Sequence, residues 1–349
     1  MSERNEPIVA TLLTGFLGAG KTSLLNRLLS KPSLTDTAVL INEFGEVGLD
    51  HLLVESVDGD IVLLRSGCIC CTIRTDLKTA ILSLFDRMHR GEIRRFSRLV
   101  IETTGLADPV PILATLTADP MLKFHFRLGN VITVVDVPNG AGNIGKYDES
   151  ARQVAVADRI VISKADLAGA TELAALRRRL AAMNPAADIV VLDETSDPAD
   201  ALLLDVAHDL TERPADAMRW VAAEVAHSHH DHHDHHHHDV NQHGGIRAFV
   251  IEGETPVAWP RFALWLSMLV HCHGQAMLRL KGLVDVEGAE TPLVIQGVQH
   301  LIHKPAHLKA WPDGVQCTRI VVIGQGLDQA LVQRSFEDFN FRRRRALSA

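Results

Sequence analysis

Two short stretches of the chain combine residue types and spacings suited to chemistry. The first is Gly15-Phe16-Leu17-Gly18-Ala19-Gly20-Lys21-Thr22, followed by Ser23, which fits the pattern G-x4-G-K-[ST]. Glycines at this density let successive backbone N–H groups turn inward around a di- or triphosphate. The lysine that follows can reach the β- and γ-phosphates, and the threonine hydroxyl can ligate Mg²⁺. The second stretch is Cys68-Ile69-Cys70-Cys71. Three thiolates within four residues form a soft donor set suited to Zn²⁺, Co²⁺ or Cu(I), and three ligands leave one coordination position open for exchange. A buried structural cysteine cluster and a redox dithiol are the other uses of such a run.

The surrounding pattern supplies the elements that position these residues. An apolar run over 8–13 enters the glycine-rich turn and a helix-forming run over 23–29 leaves it. Strand, turn and helix start in that order suit a phosphate loop, because the helix N-terminus adds its partial positive charge there. A strand over 38–41 precedes Asn42-Glu43-Phe44-Gly45-Glu46-Val47-Gly48-Leu49-Asp50. This segment reads as a loop near Mg²⁺, with Glu43 a candidate ligand of Mg²⁺ or of a second metal, or as an ordinary acidic loop. A strand over 61–64 leads through Gly67 to the three cysteines, ahead of a helix predicted over 74–88.

Residues 98–102, Arg-Leu-Val-Ile-Glu, form a hydrophobic strand ending in a carboxylate. This arrangement sets Glu102 beside the phosphate loop, to act on Mg²⁺ through water or to orient an attacking water. Gly105 can then bring its N–H towards a γ-phosphate, and Pro109 suits the first turn of a helix over 109–117. A strand over 131–136 and a helix containing Arg152 and Gln153 precede a strand that ends in Ser163-Lys164-Ala165-Asp166. There Asp166 can accept hydrogen bonds from guanine N1–H and its exocyclic amine, with the Lys164 stem along the base; a generic strand-end turn is the alternative. Strand–helix alternation continues over 173–183, 189–192 and 201–209. The fold class expected is α/β, with a mostly parallel sheet that binds ligands at the carboxyl ends of its strands.

Residues 227–243 hold ten of the nineteen histidines. With almost no apolar content this segment cannot build a core, so the domains expected are 1–212, a His-rich linker over 213–245, and a smaller α+β domain over 246–349. His229, His230, His232, His233, His235, His236, His237 and His238 can bind Zn²⁺, Ni²⁺ or Co²⁺ in interchangeable geometries, or serve as a solvated spacer. In the last domain, His271, Cys272 and His273 read as metal ligands or as a helix-end cluster with Cys272 partly buried. His300, His303 and His307 invite the same question.

Composition narrows the function classes. A net charge of −8 argues against general nucleic-acid or membrane-surface binding, and the basic run 342–345 reads as a solvated helix end. The N-terminus lacks the basic start and apolar stretch of a signal peptide, and no apolar run reaches the length of a membrane span. Five cysteines, three of them clustered, fit a reducing cytoplasm better than a secreted disulfide framework.

Together these motifs resemble the CobW-like P-loop GTPases, the metal-insertion branch related to the urease and hydrogenase nickel GTPases. The matching residues are 15–22, 42–50, 67–71, 101–109 and 163–166, with 279–286 and 318–324 resembling that family's second domain. The resemblance implies a P-loop GTPase domain in which Gly15 to Thr22 hold GTP and Mg²⁺, and Lys21, Thr22 and Glu102 serve hydrolysis. It makes Glu43 and Glu46 part of a switch loop, and Cys68, Cys70 and Cys71 the ligands of a transferred metal. Ser163 stands where that family carries Asn or sometimes Thr. The expectation is a GTP-hydrolysing metallochaperone that delivers Zn²⁺, or Co²⁺, to a client protein; a homodimer is left open. Cobalt delivery in cobalamin synthesis, activation of nitrile hydratase, and a His/Cys metal buffer with incidental nucleotide binding are the competing readings.

Overall fold

The computed structural model describes residues 7–31, 34–44, 61–66, 72–192, 245–312 and 314–341. They form two compact units. The first alternates strands and helices: β1 (Ile8–Gly15), α1 (Lys21–Leu29), β2 (Thr37–Phe44), β3 (Ile61–Ser66), α2 (Thr72–His89), β4 (Arg98–Glu102), α3 (Pro109–Ala118), α4 (Pro120–His125), β5 (Phe126–Asp136), α5 (Val137–Lys146), α6 (Asp148–Val156), β6 (Arg159–Ser163), α7 (Ala170–Met183) and β7 (Asp188–Val191). The seven strands make one sheet in the order β3-β2-β4-β1-β5-β6-β7, and every pairing is parallel. Strands buried on both faces read as continuous apolar runs, as Leu99, Val100 and Ile101 of β4 do. In a parallel sheet all carboxyl ends lie along one edge, so the strand ends Gly15, Phe44, Ser66, Glu102 and Ser163 lie on the same side of the sheet.

The segment expected to be a loop from residue 42 remains strand through Phe44. Its partner β4 stops at the Ile41–Glu102 pair, while β3 continues the ladder opposite Asn42, Glu43 and Phe44. Helix α5, with the sequence VPNGAGNIGK, has three glycines and gave no helical signal. Its buried Val137, Gly140 and Ile144 pack it down, and a Cβ on Gly140 would meet Val135 Cγ1 at 2.4 Å. Tertiary contact overrides propensity here.

The second unit contains β8 (Ile246–Gly253), α8 (Trp259–His273), β9 (Met277–Val284), β10 (Leu293–Val298), β11 (Leu301–Ile302), β12 (Ala306–His307), β13 (Thr318–Gln325) and α9 (Gln329–Asn340). Its antiparallel sheet runs β11-β10-β9-β13-β8, with β12 also on β10. Phe262, Trp265 and Leu266 of α8 join Val332 and Phe336 of α9 in one core with Phe249, Leu280, Ile295 and Val322. Both helices therefore cover one face of this sheet.

One expectation is corrected in this unit, and a question left open there is narrowed. Cys272 is exposed, not partly buried, because Leu269 and Val270 take the inward positions at this end of α8. Neither His271-Cys272-His273 nor His300, His303 and His307 forms a metal-ligating group of three among the described residues. The His300 ring lies 3.2 Å from the Val270 carbonyl, and His307 faces Thr291. Among the described residues no helix is long and apolar enough to cross a membrane.

Candidate functional site

The glycine-rich loop leaves β1 with backbone angles that side chains resist. Gly15, Gly18 and Gly20 have φ of 140°, 71° and 95°, and a Cβ on Gly15 would fall 2.3 Å from the Val134 carbonyl oxygen. Lys21, at the start of α1, is buried, and its Nζ donates to the carbonyls of Gly15 at 2.9 Å and Phe16 at 3.2 Å. The ammonium thus sits inside the loop it must serve. Thr22 Oγ1 donates to Glu102 Oε1 at 2.8 Å. Lys21, Thr22 and Glu102 therefore meet where β1 and β4, neighbours in the sheet, both end.

Beyond Glu102 the chain stays close to this loop. Thr103 N–H donates to the Leu13 carbonyl at 2.9 Å, and Thr103 Oγ1 donates to Thr14 Oγ1 at 2.9 Å. Gly105 presses so near the phosphate loop that a Cβ there would lie 2.5 Å from the Leu17 nitrogen. Asp108 ends the segment by capping α3, its Oδ1 accepting from Val110 N–H at 3.0 Å. The segment is also gripped from behind by α6. Gln153 Nε2 donates to the carbonyls of Gly105 and Ala107, both at 3.1 Å, and Arg152 Nη1 donates to Asp108 Oδ2 at 3.0 Å.

The end of β6 closes the other side. Ser163 Oγ donates to the Ala19 carbonyl at 2.6 Å, and Lys164 Nζ donates to the Gly18 carbonyl at 2.6 Å. Lys164 adopts φ 55°, a left-handed turn that permits this reach. The buried Asp136 carboxylate lies 3.8 Å from Lys164 Nζ and accepts from Asn139 Nδ2 at 2.7 Å. Asp166 is exposed in the short 3-10 turn Ala165–Leu167. Phe16 stacks on Tyr147 with ring centroids 4.7 Å apart.

Other sequence-predicted residues lie elsewhere or outside the described residues. Glu43 is in β2, opposite Arg65 of β3. Glu46, Cys68, Cys70, Cys71 and the histidines of 227–243 lie outside the described residues, as do 201–209 and 342–345. The described ends on either side of the cysteines are Ser66, closing the edge strand β3, and Thr72, opening α2. From β3 to β1 is three strand spacings, about 14 Å, with β2 and β4 between. Sequence reasoning missed the roles of Tyr147, Gln153 and Asp136. For Gln153 a signal existed: a glutamine just before the apolar run Val154-Ala155-Val156-Ala157 is a polar group headed for the interior.

Comparison with known proteins follows this geometry. Residues 9–191 match the CobW/HypB/UreG nucleotide-binding domain, and residues 246–340 match the cobalamin synthesis protein cobW C-terminal domain. The zinc chaperone YjiA of Escherichia coli is 33% identical over 330 residues, covering 95% of this chain and 98% of its own. The zinc chaperone CobW of Pseudomonas aeruginosa is 30% identical over 357 residues, covering 92% of this chain and 88% of its own. The crystal structure of Zn(II)-bound YjiA GTPase from E. coli matches at a TM-score of 0.73 and 29% identity, covering 97% of this chain and 100% of that one. On the matched domains and the full-length relatives, the chain belongs to the CobW/HypB/UreG family of P-loop proteins and carries that family's CobW C-terminal domain.

Proposed function

We propose that this chain is a GTPase metallochaperone: it binds GTP with Mg²⁺, hydrolyses it to GDP and phosphate, and couples that cycle to holding and releasing Zn²⁺ for a metal-requiring client protein. The observation that carries the nucleotide half is the contact of Thr22 Oγ1 with Glu102 Oε1 beside the Lys21 ammonium. A hydroxyl and a carboxylate brought together next to a phosphate loop are hard oxygen donors of the kind Mg²⁺ takes. Thr22 would hold the ion directly and Glu102 through water; the ion itself supplies neutralisation of the β- and γ-phosphate charge.

The chain's own groups account for the remaining steps. Residues 15–23 present N–H groups to the phosphates, and Lys21 exchanges its two carbonyl acceptors for phosphate oxygens. Glu102 orients the attacking water, whose oxygen forms the new bond to the γ-phosphorus as the bond to the β-bridging oxygen breaks. Asp166 reads guanine, with Ser163 and Lys164 tying that turn to the loop.

The metal half rests on the donor set and on the relatives, two of which are named zinc chaperones. Cys68, Cys70 and Cys71 are the proposed Zn²⁺ ligands, and the 227–243 histidines a loading segment. Glu43 is in β2, which pairs with β3, the strand that precedes the cysteines in sequence. The test is Zn²⁺ affinity by chelator competition in a chain lacking 227–243, with Mg²⁺ plus a non-hydrolysable GTP analogue, Mg²⁺ plus GDP, or no nucleotide. Tighter binding only with the analogue is expected. Equal binding in all three states would leave a metal buffer with incidental nucleotide binding.

A further inference from the structure

Gln153 does something that hydrolysis does not strictly require and that the fold makes expensive. It is fully buried, at 0% exposure. Its side-chain amide sends both N–H groups to two carbonyls of one loop, Gly105 and Ala107, each at 3.1 Å. Two carbonyl acceptors on one side fix the orientation of the amide, since its own oxygen facing them would be repelled. The cost is at the other end: Gln153 Oε1 is buried and meets no hydrogen-bond donor among the described residues. A buried amide with one orphaned oxygen persists where its donors are needed.

Those donors set the loop's backbone. A trans peptide directs its C=O and N–H oppositely, so holding the Gly105 and Ala107 carbonyls towards α6 turns the Leu106 and Asp108 N–H groups away from it. The same grip keeps Gly105 against Leu17 of the phosphate loop, in a space where a Cβ would strike the Leu17 backbone at 2.5 Å. Helix α6 touches the site at two points: its N-cap residue Tyr147 stacks on Phe16, and Arg152 in its middle holds Asp108. One helix thus grips the phosphate loop and the loop after Glu102 together.

We propose that Gln153 is a positioning residue, which sets residues 103–108 in the geometry that senses the γ-phosphate; this rests on the GTPase reading. Gln153→Leu keeps the bulk and removes both donors. Amide hydrogen exchange, followed with Mg²⁺ and the GTP analogue, should then speed up in 103–108 while the strands of the sheet keep their protection. The kcat for GTP should fall at least about tenfold with both hydrogen bonds lost, and KM should stay within about twofold. Gln153→Glu sets a carboxylate against the two carbonyls that the amide serves. Its rate relative to the parent should recover as pH falls, because only the protonated acid can donate to a carbonyl. Unchanged exchange in 103–108, or faster exchange throughout the unit, would overturn the proposal. If the parent chain released no phosphate from GTP, the GTPase reading would fail, and the exchange result would still decide the role of Gln153.

Discussion

Thr22 Oγ1 and Glu102 Oε1 are 2.8 Å apart although eighty residues separate them in sequence. The register of two adjacent parallel strands, in which Leu13 pairs with Glu102, brings them together. Glu102→Gln keeps shape and volume but removes the carboxylate. GTP hydrolysis should fall by about a hundredfold, as for loss of a positioned acid–base group, while binding of the GTP analogue persists. Phosphate release and fluorescent-nucleotide titration check the two halves. Retention of full activity would remove Glu102 from the reaction.

Ser163 spends its hydroxyl proton on the Ala19 carbonyl, so it braces the loop, and base reading is the role proposed for Asp166. Ser163→Ala should weaken GTP and ATP alike by about fivefold, the effect of one hydrogen bond. Asp166→Ala should instead lower the preference for GTP over ATP by at least about tenfold. Competition between the two nucleotides separates these outcomes.

A pH effect is expected in the second unit. Burial raises the Asp285 carboxyl pKa above its ordinary value, so the folded chain binds the proton more tightly than the unfolded chain. Stability therefore falls as pH rises from the ordinary carboxylate pKa through the raised one, and the penalty is complete above it. Asp119 has the opposite sign: its hydrogen bond to Lys78 holds its pKa down, and that contribution is lost as pH falls through the lowered value. Asp285→Asn should raise the unfolding temperature at about pH 8 and lose that gain towards about pH 4. Thermal scans across pH show whether the gain follows this course.

Among the described residues the outer strand β8 is closed by side chains instead of by another strand. Gln333 Nε2 donates to the Glu252 carbonyl at 2.9 Å while its Oε1 accepts from Glu252 N–H at 3.0 Å. That two-point pairing imitates a neighbouring strand. Gln333→Leu should expose this edge and increase self-association on warming. Light scattering at matched concentration is the check, and no increase would mean that the pairing does not guard the edge.

Much of the first unit was legible because chemistry and burial coincide there. Residues 98–102 form a short apolar run that stops at a carboxylate, and β4 has those bounds. The glycine-rich turn likewise sits between strand and helix as its spacing implies. What escaped reading depends on distance in sequence. The double contact of Gln153 with Gly105 and Ala107 spans more than forty residues, and the Ser163 bond to Ala19 spans 144. Helix α5 escaped because Gly140 packs close on Val135 of β5, against local propensity. The histidines of the second unit stayed an open question in the sequence because residue type alone says nothing of whether their rings converge.

The strand order β3-β2-β4-β1 also limits how two bound charges can influence each other. Two unit charges about 14 Å apart interact by about 0.3 kcal/mol in water and about 1 kcal/mol at an effective dielectric of 20. That separation also exceeds the Debye length of about 8 Å at physiological salt. Charges held at the ends of β3 and β1 themselves, at Ser66 and Gly15, would be nearly silent to each other through space. Coupling between charges so placed would have to pass as movement along the chain, through the strand ends at Glu43 and Glu102, and would be largely insensitive to ionic strength.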